Sequence, residues 1–278
     1  MRCIGITRQA YYQGKRRKIR RVAEEESILS MVRMVRMRHP KMGVRKLLVK
    51  IRPMLEQEGI KIGRDRLIEL MRSNGLLVIR KRRKGRTTVS GKRWMPNLLS
   101  GRYIESPNEV WVVDITYLSM GYGGFMYLFL LMDLYSRFIV AWNLAISLSA
   151  IHALYALRRA VNRVGDASGI IHHSDHGVQY ASEEYVNFMV SEGLLGSMGG
   201  VGNVYDNIYV ERLIGTLKRE YGLGGMFKQA SSVELAVREA VGLYNGDRPH
   251  ESLGYATPEN VYTGKVKLEP LYVKTHKV

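Results

Sequence analysis

A chain of 278 residues with 46% hydrophobic content can bury one large core or two smaller ones, and its net charge of +18 points to a polyanionic partner. Cys3 is the single cysteine, which excludes an internal disulfide and any zinc site built on two thiolates. The start, MRCIGITRQAYYQGKRRK, lacks the apolar run of a secretory leader, and the most apolar zone, Phe125 to Ile146, is interrupted by Asp133, Arg137 and Asn143, so two buried strands explain it better than a membrane span, and a cytoplasmic setting is expected.

The charge is unevenly placed. Residues 1–93 hold 28 Lys/Arg against 7 Asp/Glu, a net +21, whereas residues 94–278 hold 15 against 18, a net −3. A basic front joined to a near-neutral body suggests a polyanion-binding part, with nucleic acid the first partner to consider and an anionic membrane the second. Residues 1–23 form a basic segment. Residues 24–79 carry apolar side chains at helical spacing: Ile28, Met31, Val32 and Val35, then Val44, Leu47, Leu48, Ile51 and Leu55, then Leu67, Ile68 and Met71. His39-Pro40, Glu58-Gly59 and Asn74-Gly75 mark the breaks. A small basic all-helical domain follows, and a helix-turn-helix reading would put Arg64 and Arg66 at the start of its last helix, facing DNA. The alternative is a solvated basic bundle that merely packs on the rest.

Residues 80–107 read as a basic linker. Its first part, RKRRKGRTTVSGKR, carries eight basic residues and no acid, so Arg80, Lys81, Arg82, Arg83, Lys84 and Arg86 suit a phosphate-tracking segment or, equally, a flexible tether. From residue 108 the period changes from helical to alternating. Strands are expected at 109–118, 125–132, 138–145, 169–174 and 194–198, with helices at 149–164, 182–192, 206–221 and 232–245. Two hairpins open the series, and the short apolar strand at 169–174 belongs in the middle. The result is an α/β domain, 108–262, with a mixed five-stranded sheet flanked by helices, followed by a C-terminal tail, 263–278.

The stretch IIHHSDHGVQY (170–180) raises the question of chemistry. His172 and His173 are adjacent, so on a strand they point to opposite faces and do not share one ion. No Gly-x-Ser-x-Gly elbow is present. Two distant carboxylates could reach Asp175. Asp114 interrupts the apolar run Val-Val-Asp-Ile, where a charge is costly unless paired or coordinated. Glu211 lies toward the edge of the apolar face of a helix, with Gly215 one turn on, leaving room for a ligand, and Lys218 two turns on, offering a phosphate contact. Three such oxygen donors suit Mg²⁺ or Mn²⁺, and two ions about 4 Å apart would clamp the attacking and leaving oxygens of a displacement at phosphorus. Taken singly, each acid also has a plainer reading: a strand-end cap, a turn former and a surface helix charge.

Asp175 and Glu211 are separated by 35 residues, and Asp114 precedes them in Trp-x-x-Asp-x-Thr-Tyr. With HPKMGVRKLLVKI, IELMRSNGL, WVVDITYL, YLFLLMDLYSRFIVAW, HHSDHGVQYAS, SMGGVGNVYDNIYVERLIGTLKRE and YNGDRPHESLGYATPE in this order, the chain resembles the D,D(35)E transposases of the retroviral-integrase-like superfamily, and among them the second-reading-frame (OrfB) insertion-sequence type. The resemblance implies an RNase H-like catalytic domain, Asp114, Asp175 and Glu211 as catalytic residues and metal ligands, and DNA as partner, both terminal inverted repeats and target. It implies nicking of one strand at an element end, attack of the freed 3′-hydroxyl at the other end, and later insertion of a circular intermediate. Because two ends are paired, a homo-oligomer on DNA is expected. The chain shows no obvious upstream helix-turn-helix plus leucine zipper, which the family gains through an upstream-frame partner or fusion product. One departure is Ile208 after Asp206-Asn207, where the family commonly has alanine; the spacing to Glu211 is kept. Rival readings are an RNase H-like nuclease or resolvase without joining activity and a catalytically dead DNA-binding regulator.

Further candidates surround these. Asp133 reads as a strand-end residue bonding turn amides, with a ligand role as the rival. His173 is a structural imidazole or a neighbour of the metal ligands. His176, Gln179 and Lys218 are candidate DNA contacts. Asn245, Arg248 and His250 lie in the Tyr-Asn-x-x-Arg-Pro-His piece, where Arg248 offers a bidentate phosphate fork or the motif forms a turn that locks the last helix onto the sheet.

Overall fold

The computed structural model describes residues 8–78, 95–175, 177–199 and 208–274. The chain divides into two compact units, 1–82 and 83–278.

In the first unit, α1 (Arg8–Arg38), α2 (Val44–Gln57) and α3 (Arg64–Ser73) pack through the residues that the 3.6 period singles out: Ile28, Met31, Val32 and Val35 from α1, Leu47, Ile51 and Leu55 from α2, Leu67 and Met71 from α3. Both α2 and α3 end at a left-handed glycine, Gly59 (φ 66°) and Gly75 (φ 67°). In each case the next N–H reaches back to the last turn, Ile60 to the carbonyl of Leu55 and Leu76 to that of Met71, which satisfies carbonyls the helix end would otherwise leave bare. The first helix starts at Arg8, well before residue 24. Its added turns are rich in good helix formers and carry one-turn ion pairs, Arg20–Glu24 at 2.8 Å and Arg21–Glu25 at 2.9 Å.

The second unit runs β1 (Tyr103–Ile104), β2 (Val110–Met120), β3 (Phe125–Asp133), β4 (Ile139–Ala145), α4 (Ala150–Val164), β5 (Ile171–Ser174), a 3₁₀ turn (Val178–Ala181), α5 (Glu183–Ser191), β6 (Leu195–Met198), α6 (Ile208–Glu220), β7 (Met226–Phe227), α7 (Ala230–Gly242), a π-helical turn (Leu243–Asp247), a 3₁₀ turn (Glu251–Leu253), α8 (Pro258–Tyr262) and β8 (Leu271–Tyr272). The sheet order is β4-β3-β2-β5-β6, with β7 paired to β2. β2, β3 and β4 are antiparallel; β5 joins β2, and β6 joins β5, in parallel. The mixed α/β architecture is the expected one, with β7 as a sixth strand.

β2 is buried on both faces. Val110 and Val112 join a core with α6 and α7, while Trp111 and Val113 join the core beneath α4 and α5. Parts of the expected linker and tail are sewn to this unit: β1 pairs with β8, Leu99 enters the core, and Tyr135 donates its hydroxyl to the carbonyl of Leu268 at 2.6 Å.

Candidate active site

The strand register brings two of the three carboxylates together. β2 and β5 run parallel with Val112 opposite His173. Two residues further along each chain stand Asp114, within β2 opposite Leu130 of β3, and Asp175, just past the end of β5, both on the Val112 side. That face is covered by α6, whose Val210, Leu213, Ile214 and Leu217 share the core with Val112. Glu211 lies in the first turn of α6 and Lys218 in its last.

The electrostatics tie the four side chains to one place. Burial pushes the Asp114 carboxyl up to about 8, and the charges of Asp175 and Glu211 push the same way; a hydrogen bond from the Ile115 N–H, at 2.7 Å, and the charge of Lys218 oppose them. Asp175 accepts a hydrogen bond from the Gly177 N–H at 3.0 Å. A Cβ at position 177 would stand 3.0 Å from the same carboxylate oxygen, so a larger residue there would press on the Asp175 side chain. Asp175 is half-buried and Glu211 exposed, which leaves the group open on one side.

Among the described residues, no three His, Cys, Asp or Glu side chains are already gathered as a metal cage. The donor set still fits a hard divalent cation. It supplies carboxylate oxygens, and burial, with the charges of Asp175 and Glu211, keeps a proton on Asp114 that a cation would displace.

The histidines part as adjacent strand residues must. His172 turns to the α5 side, where its Nε2 lies 2.7 Å from the Tyr185 hydroxyl and burial draws its pKa down to about 4, so it stays neutral. His173 is fully buried on the Asp114 face, its Nδ1 2.9 Å from Ser197 Oγ. Tyr180 went unnoticed in the sequence because it reads as core. It is buried, and its hydroxyl is pushed up by burial and then by the charges of Asp175 and Asp114, which places it close to both. Asp133 forms the turn after β3: it accepts from the N–H groups of Ser136 and Asn108, each at 2.7 Å, and from the Ser136 hydroxyl.

The candidate DNA contacts fall into three groups. Lys218 is half-buried, with its charge acting on Asp114. Gln179 is half-buried on the 3₁₀ turn after Asp175. Arg64 and Arg66 are exposed at the start of α3, paired with Asp65 at 2.8 Å and with Glu25 at 2.9 Å.

The second group is engaged inside the fold. Arg248 is buried, and both arms of the fork that its sequence offered to phosphate grip Glu220, at 2.8 and 3.0 Å. Asn245 faces the free edge of β4, donating to the Ile139 carbonyl at 3.1 Å and accepting from its N–H at 2.9 Å, as a neighbouring strand would. His250 is half-buried with Nδ1 3.0 Å from Ser252 Oγ. This geometry is that of the locking turn. The space over Gly215 is likewise filled, since the Arg219 guanidinium lies 2.9 Å from where a Cβ would stand. The third group, His176, Arg80, Lys81, Arg82, Arg83, Lys84 and Arg86, lies outside the described residues, as do Asp206 and Asn207. Among the described residues no helix is long and apolar enough to cross a membrane.

Known proteins share both the fold and the sequence pattern. Residues 105–204 match a family described as "Integrase core domain", and residues 193–258 match a second family of the same description. The chain is 35% identical over 222 residues to the transposase for insertion sequence element IS629 of Shigella sonnei, covering 79% of this chain and 73% of that protein. It is 31% identical over 218 residues to the transposase for IS904 of Lactococcus lactis, covering 76% and 85%. Among solved structures, a chain of the simian T-cell lymphotropic virus intasome, solved in complex with PP2A regulatory subunit B56 gamma, shares the fold, with a TM-score of 0.50 and 17% identity over 85% of this chain and 76% of that one.

Proposed function

The chain belongs to the insertion-sequence transposases that carry an integrase core domain, enzymes of the Asp-Asp-Glu polynucleotidyl transferase type, and from that premise we propose that Asp114, Asp175 and Glu211 cut and join DNA strands at the ends of an insertion sequence. The observation that carries the reading is the shared electrostatic neighbourhood of these three carboxylates on the face covered by α6.

The residues divide the work. Asp114, Asp175 and Glu211 would hold Mg²⁺ or Mn²⁺, as a pair of ions, which when bound activate the attacking oxygen and stabilise the leaving one. Asp114 gives up its proton as the site loads, because its folded pKa of about 8 reflects burial and unshielded neighbouring charges. Lys218 supplies a positive charge that acts on Asp114 and contacts the DNA end. Tyr180 supports Asp175 from within the core. Arg64, Arg66 and the basic residues 80–86 bind the duplex outside the site, where phosphate contacts give affinity without sequence choice.

The partners are the element's terminal inverted repeats and target DNA. Pairing two ends calls for at least a dimer on DNA, and an upstream-frame partner or fusion product would add the end-recognition part. A cytoplasmic, nucleoid-associated setting fits such a substrate.

The test is incubation of the protein with candidate element ends and Mg²⁺ or Mn²⁺, with products mapped at nucleotide resolution. Nicks that free a 3′-hydroxyl, and joined strands made from it, are expected. Asp114→Asn, Asp175→Asn and Glu211→Gln should each lose both products. Cleavage without joining would turn the reading to a nuclease, and cleavage that survives all three changes would overturn the site.

A further inference from the structure

We propose that the aromatic face of the β2–β3 hairpin, made by Tyr117, Phe125 and Tyr127, stacks an unpaired base of the DNA strand held at Asp114; this rests on the reading of that carboxylate as part of the strand-cutting site. Tyr117 stands directly opposite Tyr127 across the hairpin, and Phe125 stands opposite Ser119, two residues on, so the three rings share one face. The Tyr117 ring meets those of Phe125 and Tyr127 edge-on, with 5.6 and 5.2 Å between centres. Tyr127 is half-buried and packs on the core beneath α4 and α5, whereas Tyr117 and Phe125 are 46% and 50% exposed. The core therefore fixes the inner ring, and the inner ring steadies an outer pair that is open to a ligand.

The chemistry of this face selects the ligand. Residues 115–132 include no charged side chain. The hairpin thus offers phosphate nothing and offers a nucleobase a π-surface, which is how sequence-tolerant contacts to unpaired bases are made. A base inside a duplex is covered by its neighbours, so the occupant is an unpaired one.

The position of the face ties it to the cutting site. Tyr117 follows Asp114 by three residues on β2, roughly 10 Å along the strand, which is about three base steps of DNA. β5 pairs with β2 at Val110, Trp111 and Val112, and β7 pairs with it at Ser119 and Met120. Among the described residues, no strand lines 113–118 on that side. The Ile115 N–H takes the Asp114 carboxylate as its acceptor instead. A DNA strand that reaches Asp114 can continue past this open edge onto the rings. That continuity favours DNA over a second copy of the chain as the occupant.

The experiment uses the full chain without metal and duplexes of a candidate element end. In each duplex one position, up to about three nucleotides from the expected nick, is left unpaired by removing the base opposite. That position either keeps its own base or is abasic too, so gel-shift titration isolates the contribution of one base. At one position the wild type should bind the base-bearing duplex on the order of tenfold more tightly. Tyr117→Leu and Phe125→Leu should each erase this preference, and Tyr117→Phe should keep it. Both side chains are about half exposed, so the variants should melt near wild type; if one melts low, the other decides. No preference in the wild type, or the wild-type preference in a folded Leu variant, overturns the inference. A Leu variant that keeps the preference but has lost mass in light scattering overturns it too, and gives the face to a second copy. Asp114→Asn should keep the preference and lose the nick. A wild-type chain that shows the preference yet makes no nick with Mg²⁺ fails the reading of the carboxylates, not the stacking.

Discussion

The two units use charge in opposite ways. In the helical unit the ion pairs lie at the surface: Arg20–Glu24, Arg21–Glu25 and Arg66–Glu25 all leave their arginines about half exposed or more. In the integrase-core unit the informative charges are few and lie deeper: Asp133 and Arg137 at the β3–β4 turn and Arg248 on Glu220 are buried, and Asp114 is half-buried on β2. An exposed arginine can exchange a weak carboxylate partner for a phosphate at small cost, whereas a buried one is bound to the partner it has. Residue type alone therefore does not say which arginines meet DNA; depth decides.

The sharpest way to separate the units is Asp114→Asn. Cleavage should fall by about a thousandfold or more, since the change removes a metal-binding oxygen and its charge, while DNA binding measured by gel shift stays near wild type. The same variant has a signature in pH. Folded Asp114 keeps its proton up to about pH 8 while the unfolded carboxyl ionises near 3.8. Between those values the folded state binds the extra proton, so the metal-free protein loses stability at this site as pH rises from about 4 to about 8. Asp114→Asn should remove that part of the slope, and Mg²⁺ should blunt it in the wild type. Melting curves across pH, with and without Mg²⁺, check both statements.

The arginines give the next effect in size. Arg248→Ala strands Glu220, whose side chain is 19% exposed, and should cost about 3 kcal/mol of stability in urea unfolding. Arg248→Met, which keeps bulk, should still lose most of that, because the carboxylate remains without its fork. By contrast, the double change Arg64→Gln with Arg66→Gln should leave stability nearly unchanged. It should weaken DNA binding and lower the slope of log affinity against log salt by about 1 for each phosphate that no longer meets an arginine. Should Arg248→Met bind DNA more weakly at full stability, depth would not be the deciding variable.

Much of this was legible in the sequence. Apolar periodicity marked out the helices of the first unit and most strands of the second, and adjacent residues on a strand were enough to send His172 and His173 apart. The pairing of Asp114 with Asp175 needed only that their strands be neighbours. What was not legible depended on partners far away in the chain. Two-residue strands such as β1 and β8 have no period to detect, so their pairing, Tyr103 with Tyr272, was read as linker and tail. The Tyr-Asn-x-x-Arg-Pro-His piece left a phosphate fork and a locking turn both open, because nothing local in it decides between them; Asn245 and Arg248 are buried only because Ile139 and Glu220 wait for them. The room expected over Gly215 vanished for a similar reason, since the long side chain of Arg219 folds back over it.

The smallest effect tests the surface side of the comparison. Arg66 joins α3 to Glu25 on α1, a pair whose side chains are 49% and 29% exposed. Glu25 also bonds Arg21, and the two arginines hold its carboxyl below its ordinary value of 4.5. The stabilisation is therefore fully present above about pH 4.5 and fades as pH falls through the lower, folded value. A double-mutant cycle with Arg66→Ala and Glu25→Ala should give a coupling of about 0.5 kcal/mol at neutral pH, and raising salt to about 0.5 M should shrink it toward zero. A coupling above ~2 kcal/mol that ignores salt would mean this pair is held as firmly as Arg248–Glu220. Arg66 would then be part of the bundle's framework, closed to phosphate, and the arginines of the basic run 80–86 would be left to carry the salt dependence of DNA binding.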